Sequence, residues 1–291
     1  MALYRADYLF LPSIVSYKNI LISILLLFCS FIIEAHAWKK NLNVMGFSVK
    51  FNEALISMGL FVFGKYIPGK IWGVAGRSAY LAVKNNYSKK NIAFVAVINQ
   101  MLSMWVGLWL GLFGLFFVKH LEVYRNISLL LLFFLTAVLF TTIPVKIVTG
   151  FYRFIFKKNI QIQYISINQI FIVLPWYLFR WLILSFAFYF FVMGLTYTNV
   201  PFYTAFGFAL AGNLALAVVF LPGGLVVREG VLLGFLTLCE FSIEIATTIS
   251  ITSRLWFLLG EIFIFGYALG LEKKVTGGKK RGDDNIISGT E

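Results

Sequence analysis

Long apolar runs separated by short polar or basic breaks fill almost the whole chain. They fall at Ile20–Ala37, Gly46–Tyr66, Ile92–Val118, Ile127–Val145, Ile167–Leu195, Val200–Leu221, Leu225–Leu238 and Ile245–Leu271. A helix crosses a bilayer with roughly 20 apolar residues, so these runs predict about eight crossings, with Leu225–Leu238 short for one. A further stretch, Ile71–Val83, is too short to cross and lies between basic residues. It predicts a re-entrant or interfacial segment, a kind tolerated at membrane depth only where protein or a water-filled cavity satisfies its backbone. The pattern therefore predicts an all-α, polytopic integral membrane protein whose helices are broken or re-entrant at two Pro-Gly motifs. Residues 1–272 form the transmembrane unit, and residues 273–291, basic and Gly-rich, are expected to be a disordered tail.

Composition agrees with the pattern and narrows the function. Apolar residues make up 60% and charged residues 13% of the chain, and the mean hydropathy is +0.87. Ordinary globular domains are about 25% charged. A soluble enzyme, a disordered chain and a collagenous chain are excluded, and no long polar block exists to build a separate soluble catalytic domain. Cys29 and Cys239 both lie in apolar runs, there is no CxxC, and the histidines are His36 and His120. No disulfide framework, zinc site or haem site is written in this pattern, and no cofactor is expected. A net charge of +13 in a membrane protein points to anionic lipid surfaces and cytoplasmic anchoring rather than to nucleic acid.

Basic residues set the expected orientation. Lys273, Lys274, Lys279, Lys280 and Arg281 place the C-terminal tail in the cytoplasm. Lys146, Arg153, Lys157 and Lys158 place the loop after the fourth run there too, whereas Thr196–Asn199 carries no basic residue and is placed outside. Both termini are then cytoplasmic. Lys39, Lys40 and Lys50, in the first outer loop of this scheme, run against the rule. Ala35-His36-Ala37 looks like a signal-peptidase site, but the preceding polar region is long and Glu34 sits beside it, so an uncleaved first span is expected.

Two related stretches carry the candidate chemistry. The first runs from Gly64-Lys65-Tyr66-Ile67-Pro68-Gly69-Lys70-Ile71-Trp72 to Arg77, and the second is Leu221-Pro222-Gly223-Gly224-Leu225-Val226-Val227-Arg228-Glu229-Gly230. Each places Pro-Gly after an apolar run, with further glycines and an arginine close behind. Proline stops a helix and glycine permits tight turns and close backbone approach, so each span should break and a new helix begin just after. A helix N-terminus offers free N–H groups and a partial positive charge. With Lys65, Lys70 and Arg77 beside one and Arg228 beside the other, the combination suits a phosphate group. Either motif alone would be read most simply as a turn with a snorkelling anchor. Broken helices in corresponding positions of two halves instead point to a transporter's binding site. On the expected orientation both motifs lie towards the cytoplasmic side, as a weak parallel repeat.

These stretches resemble the two signature regions of the lysylphosphatidylglycerol synthase transmembrane family, also described as flippase-like. The resemblance rests on Lys65-Tyr66-Ile67-Pro68-Gly69-Lys70-Ile71-Trp72 with Arg77, and more specifically on Pro222-Gly223-Gly224 with Arg228-Glu229-Gly230. It covers nearly the whole chain. The best-known members join this region to a cytoplasmic aminoacyl-transferase domain. Here the sequence ends shortly after its last apolar run, so the resemblance implies a stand-alone flippase-like domain that does not aminoacylate lipid. Stand-alone members accompany glycosyltransferases of envelope polysaccharide pathways, which implies a polyprenyl-phosphate or glycolipid substrate, a glycosyltransferase partner and the plasma (inner) membrane.

Ionisable residues inside membrane spans are functional candidates by default. Arg180 lies near the middle of the Ile167–Leu195 run, flanked by Trp176, Tyr177 and Trp181. Arg254 and Glu261 are two helical turns apart, on one face about 10 Å from each other, so each is expected to pair with a neighbouring span. Structural ion pairs and a substrate path are both open readings of these three. Asn99, Gln100 and Asn213 read as interhelical hydrogen-bond glue. The candidate substrate-binding set is Lys65, Tyr66, Pro68, Gly69, Lys70, Arg77, Arg180, Pro222, Gly223, Gly224, Arg228, Glu229, Arg254 and Glu261. The expected function is a flippase or transporter of a phospholipid or a polyprenyl-phosphate-linked intermediate, with no enzymatic activity. No Walker motif is present. A membrane enzyme acting on a lipid phosphate is disfavoured because no His, Asp or Cys constellation accompanies the basic residues. A membrane scaffold for a glycosyltransferase is the alternative.

Overall fold

A computed structural model describes residues 14–67, 72–118, 122–141, 166–217 and 226–287. All regular structure among them is helical. The helices are α1 (Tyr17–Val44), α2 (Phe51–Leu60), α3 (Trp72–Lys84), α4 (Lys89–Leu115), α5 (Glu122–Phe140), α6 (Ile167–Leu195), α7 (Gly207–Ala217), α8 (Val227–Leu238) and α9 (Ile243–Ile287). Short 3-10 turns follow α2 at Val62–Tyr66 and precede α7 at Phe202–Phe206.

Among the described residues, α1, α4, α5, α6 and the Ile243–Val275 part of α9 are each long and apolar enough to cross a membrane. The chain is thus a multi-pass membrane protein. The other expected crossings fold in shorter pieces. Gly46–Tyr66 resolves into the ten-residue α2 and a 3-10 turn, and Leu225–Leu238 into the twelve-residue α8. At 1.5 Å per residue, α2 spans about 15 Å and α8 about 18 Å, roughly half a hydrocarbon core. Ile71–Val83 corresponds to α3, thirteen residues long and too short to cross, as its length implied. The basic tail expected to be disordered continues α9 as helix to Ile287.

Helix starts follow local chemistry. Ser16 caps α1 by accepting from the Asn19 N–H at 3.4 Å. Ser166 and Gln169 form a reciprocal capping box on α6, satisfying two orphan N–H donors. α1 and α6 lie antiparallel along their lengths. The Val15 N–H donates to the Gly194 carbonyl at 2.8 Å at one end, Ser23 Oγ donates to the Ala187 carbonyl at 2.7 Å between, and Gln169 Nε2 donates to the Val44 carbonyl at 2.8 Å at the other. α9 packs on α1, where the Phe28 and Phe263 rings stack at 4.1 Å, and on α2. α4 supports α5, with Trp105 Nε1 donating to Thr136 Oγ1 at 2.9 Å.

The half-length pieces are held by close packing. The turn Val62–Tyr66 lies directly on the start of α3, so a Cβ on Gly64 would run into the Gly73 nitrogen. That glycine lets two backbones touch and fixes the tip between α2 and α3. The break expected at Pro68-Gly69 falls in the interval between the turn and α3; Pro68, Gly69 and Lys70 themselves lie outside the described residues, as do Pro222, Gly223 and Gly224. α7 ends at Ala217 and α8 begins at Val227, on either side of the second motif.

Candidate functional site

The tip between α2 and α3 reaches the middle of α9. Glu261 is completely buried there and accepts a hydrogen bond from the Tyr66 hydroxyl at 2.8 Å. Its other oxygen pairs with the Lys65 ammonium. Lys65 Nζ also lies 4.8 Å from the Phe257 ring centroid and 5.5 Å from that of Tyr66, so aromatic faces add to its neutralisation. One turn-and-helix system thus delivers the first motif to a buried carboxylate far along the chain. Lys65 and Tyr66 thus meet α9 near the middle of its Ile243–Val275 part.

The second motif comes to the same helix two turns earlier. Arg228 and Glu229 open α8. Glu229 Oε1 accepts from Arg254 Nη1 at 3.3 Å and lies 3.6 Å from Arg228 Nε. Arg228 Nη2 donates to Ser253 Oγ at 3.3 Å, and its guanidinium carbon stands 5.2 Å from the Phe208 ring centroid. Arg254 and Glu261 therefore each pair with a neighbouring element and not with each other. Tyr66 is within electrostatic reach of both Arg254 and Arg228, so the two motifs share one cluster. Among the described residues the cluster holds three cations, Lys65, Arg228 and Arg254, against two carboxylates, Glu229 and Glu261. One positive charge is left over. Arg228 Nε as a donor and Glu229 Oε2 as an acceptor are shielded and have no hydrogen-bond partner.

A cleft of about 450 Å³ opens beside this cluster between α8 and α9. Glu229, Arg254, Thr247 and Ser250 supply its polar lining, and Val226, Leu233 and Ile251 its apolar lining. Most of that surface is apolar and suits hydrocarbon, with the Glu229–Arg254 pair in its wall. The chain enters α8 through Val226 at φ +70°, a left-handed conformation that a β-branched residue rarely adopts.

Arg77 and Arg180 belong elsewhere. The sequence pattern groups Arg77 with Lys65 and Lys70 at one phosphate cradle; Lys65 turns to Glu261 while Arg77 turns to α4, and Lys70 lies outside the described residues. Arg77 lies on the face of α3 that is buried with Ser78 and Leu81, and its Nη2 donates to the Ala96 carbonyl of α4 at 3.0 Å. Arg180 pairs through Nη2 with Glu34 Oε2 of α1 at 3.0 Å. Glu34 is also within electrostatic reach of Arg77, so these three side chains form a second cluster built from α1, α3 and α6. Beside it, the Tyr177 hydroxyl donates to Asn99 Oδ1 at 2.5 Å, joining α6 to α4 as expected of interhelical glue. Asn213 differs: its Nδ2 returns to the Ala209 carbonyl of its own helix at 2.7 Å.

Glu34 is absent from the candidate residues of the sequence pattern, where it stands only as a neighbour of Ala35-His36-Ala37. A carboxylate inside a 28-residue apolar helix is itself the signal that could have found it. Ser253 is absent as well, and a single serine in a membrane helix carries no comparable mark.

Fold and clusters define a class: a multi-pass helical membrane protein with charged residues brought together inside its bundle by broken helices. Residues 2–260 match the lysylphosphatidylglycerol synthase TM region, and the chain belongs to that family, whose membrane region is of the flippase-like type. No curated protein matches the chain.

Proposed function

We propose that the protein moves a lipid with a phosphate headgroup across the membrane. Lys65, Tyr66, Arg228, Glu229, Arg254 and Glu261 form the headgroup station. The observation that carries this reading is the convergence of both Pro-Gly motifs on one cluster with a surplus cation, beside a largely apolar cleft that Glu229 and Arg254 help to line. The surplus charge and an Arg228 Nε that lies 3.6 Å from Glu229 without a hydrogen bond suit a phosphate, and the apolar lining suits the start of an acyl or prenyl chain. Substrates of this kind are a phospholipid or a polyprenyl-phosphate-linked envelope intermediate. Arg228 and Lys65 attract the phosphate, while Glu229 and Glu261 keep both cations positioned between transport cycles. On this reading the domain carries out no covalent chemistry, sits in the plasma (inner) membrane with both termini in the cytoplasm, and works beside a glycosyltransferase.

The test is translocation of headgroup-labelled lipids by purified protein in proteoliposomes, one set carrying a labelled phospholipid and the other a short polyprenyl phosphate. Movement of either label well above empty vesicles is expected. Rates equal to empty vesicles for both would leave the scaffold reading, in which the domain only holds a glycosyltransferase at the membrane.

A further inference from the structure

We infer that Arg77 and Arg180, with Glu34 as their resident counter-ion, form a second binding site for a phosphate-type oxyanion. Both arginines are more than nine-tenths buried, at 8% and 7% exposure. Each uses one terminal nitrogen, Arg77 on the Ala96 carbonyl and Arg180 on Glu34. Arg77 Nε, Arg180 Nε and Arg180 Nη1 are shielded from solvent and have no hydrogen-bond partner. Leaving a buried charged donor unpaired forfeits its full desolvation cost, so three such nitrogens on two buried guanidinium groups mark a missing acceptor.

The charge count agrees. Arg180 pairs with Glu34, and Arg77 stacks on Trp38 one turn further along α1, so among the described residues two guanidinium groups share one carboxylate and one positive charge is left over. Of the acceptors nearby, the Ala96 carbonyl serves Arg77 and Asn99 Oδ1 serves Tyr177; Asn41 Oδ1 is buried without a partner, but a neutral amide oxygen cannot neutralise a guanidinium charge. The rings of Trp38 and Trp181 lie 4.8 and 4.2 Å from the two guanidinium carbons. Stacking of this kind fixes the guanidinium groups through their faces and leaves edge donors for a ligand. A tetrahedral oxyanion with several acceptor oxygens is the natural complement of two planar forks. Access comes through Glu34, whose side chain is 25% exposed midway along a membrane-crossing helix. A carboxylate facing acyl chains there would be costly, so the inferred site would take its ligand from that exposed side.

The site is distinct from the headgroup station. Arg77 bonds α4 and stacks on Trp38 of α1, and Arg180 pairs with Glu34 of α1, whereas Tyr66, Arg228 and Glu229 all meet α9. The inference does not need the transport reading for its existence. It rests on that reading only when the oxyanion is taken to be a lipid headgroup rather than free phosphate.

Calorimetric titration of the purified full-length protein tests it, with inorganic phosphate in one arm and dihexanoyl phosphatidic acid in the other. The titrations use an Arg228→Gln background, which weakens the first station. Binding should persist in that background, and adding Arg77→Gln or Arg180→Gln should weaken it by about tenfold or more, the loss expected for a charged hydrogen bond. Glu34→Gln retains both arginines and removes the competing carboxylate, so it should tighten binding by about tenfold, the change expected from one pK unit of charge interaction. Much tighter binding of phosphatidic acid than of phosphate identifies the lipid headgroup as the ligand, and equal binding identifies the free anion. Phosphate binding without lipid translocation would sink the transport reading and leave this site standing. Binding that disappears with Arg228→Gln alone, ignores both further arginine changes, or fails to tighten in Glu34→Gln overturns the inference.

Discussion

Glu261 is the most constrained side chain of the first cluster, because it has no exposure and its charge is matched locally by Lys65 and Tyr66. Lys65→Met leaves that carboxylate without its cation. Breaking a fully buried pair costs about 3–5 kcal/mol, and partial exposure of Lys65 lowers the expected loss to about 1–3 kcal/mol. The double variant Lys65→Met/Glu261→Gln removes both charges and should recover much of the loss. Thermal unfolding in detergent should place Tm lowest for Lys65→Met, with the double variant between it and wild type; a double variant less stable than Lys65→Met would show that the pair is not what holds Glu261. Glu229 accepts from Arg254 and lies against Arg228, so Glu229→Gln should cut lipid translocation several-fold, on the scale of about 1–2 kcal/mol for a charged hydrogen bond, with only modest loss of folded protein. At this scale Arg180, Arg254 and Glu261 were legible as ionisable groups in apolar runs. Their partners were not. Arg180 meets Glu34 across 146 residues of sequence, and Tyr66 meets Glu261 across 195. No local spacing encodes such pairings, which depend on which helices pack together.

The short elements depend on a few close contacts. The tip between α2 and α3 has no room at Gly64, since a Cβ would run into the Gly73 backbone. Gly64→Ala should therefore destabilise the protein by about 1–3 kcal/mol, as overpacking does, and displace Lys65 and Tyr66 from Glu261. Gly266 in α9 is the control, because a Cβ added there would meet nothing within 4 Å. Gly266→Ala should be neutral or stabilising by up to about 1 kcal/mol, from helix propensity alone. A Gly64→Ala protein as stable as Gly266→Ala would contradict the tight tip. The long elements were legible to within a few residues: the run Ile167–Leu195 is the whole of α6, and Ile92–Val118 overlaps α4. Runs interrupted by Pro-Gly were less so. Hydropathy over Gly46–Tyr66 is continuous, but its backbone turns after Leu60 and tightens into 3-10 geometry, a change that apolar content does not register.

At the scale of the whole fold, five of the described helices are long enough to cross, and pieces too short to cross bring charge among them. The expected orientation has a direct check. Cysteines placed at residues 197 and 285, in protein lacking Cys29 and Cys239, should label from opposite sides of the membrane, and labelling from one side would overturn it. The central claim is that the two motifs act as one station for a phosphate headgroup. Arg228 tests it most directly, because it belongs to the second motif and shares the electrostatic field of Tyr66 from the first. A flexible lysine replaces a snorkelling arginine without loss, but it cannot reproduce a planar fork on a phosphate. The decisive measurement is reporter-lipid translocation by Arg228→Lys in proteoliposomes, normalised to folded protein by size-exclusion profile. The account predicts a loss of about tenfold or more, the scale of one charged hydrogen bond, with normal insertion and folding. Wild-type translocation by Arg228→Lys would contradict it.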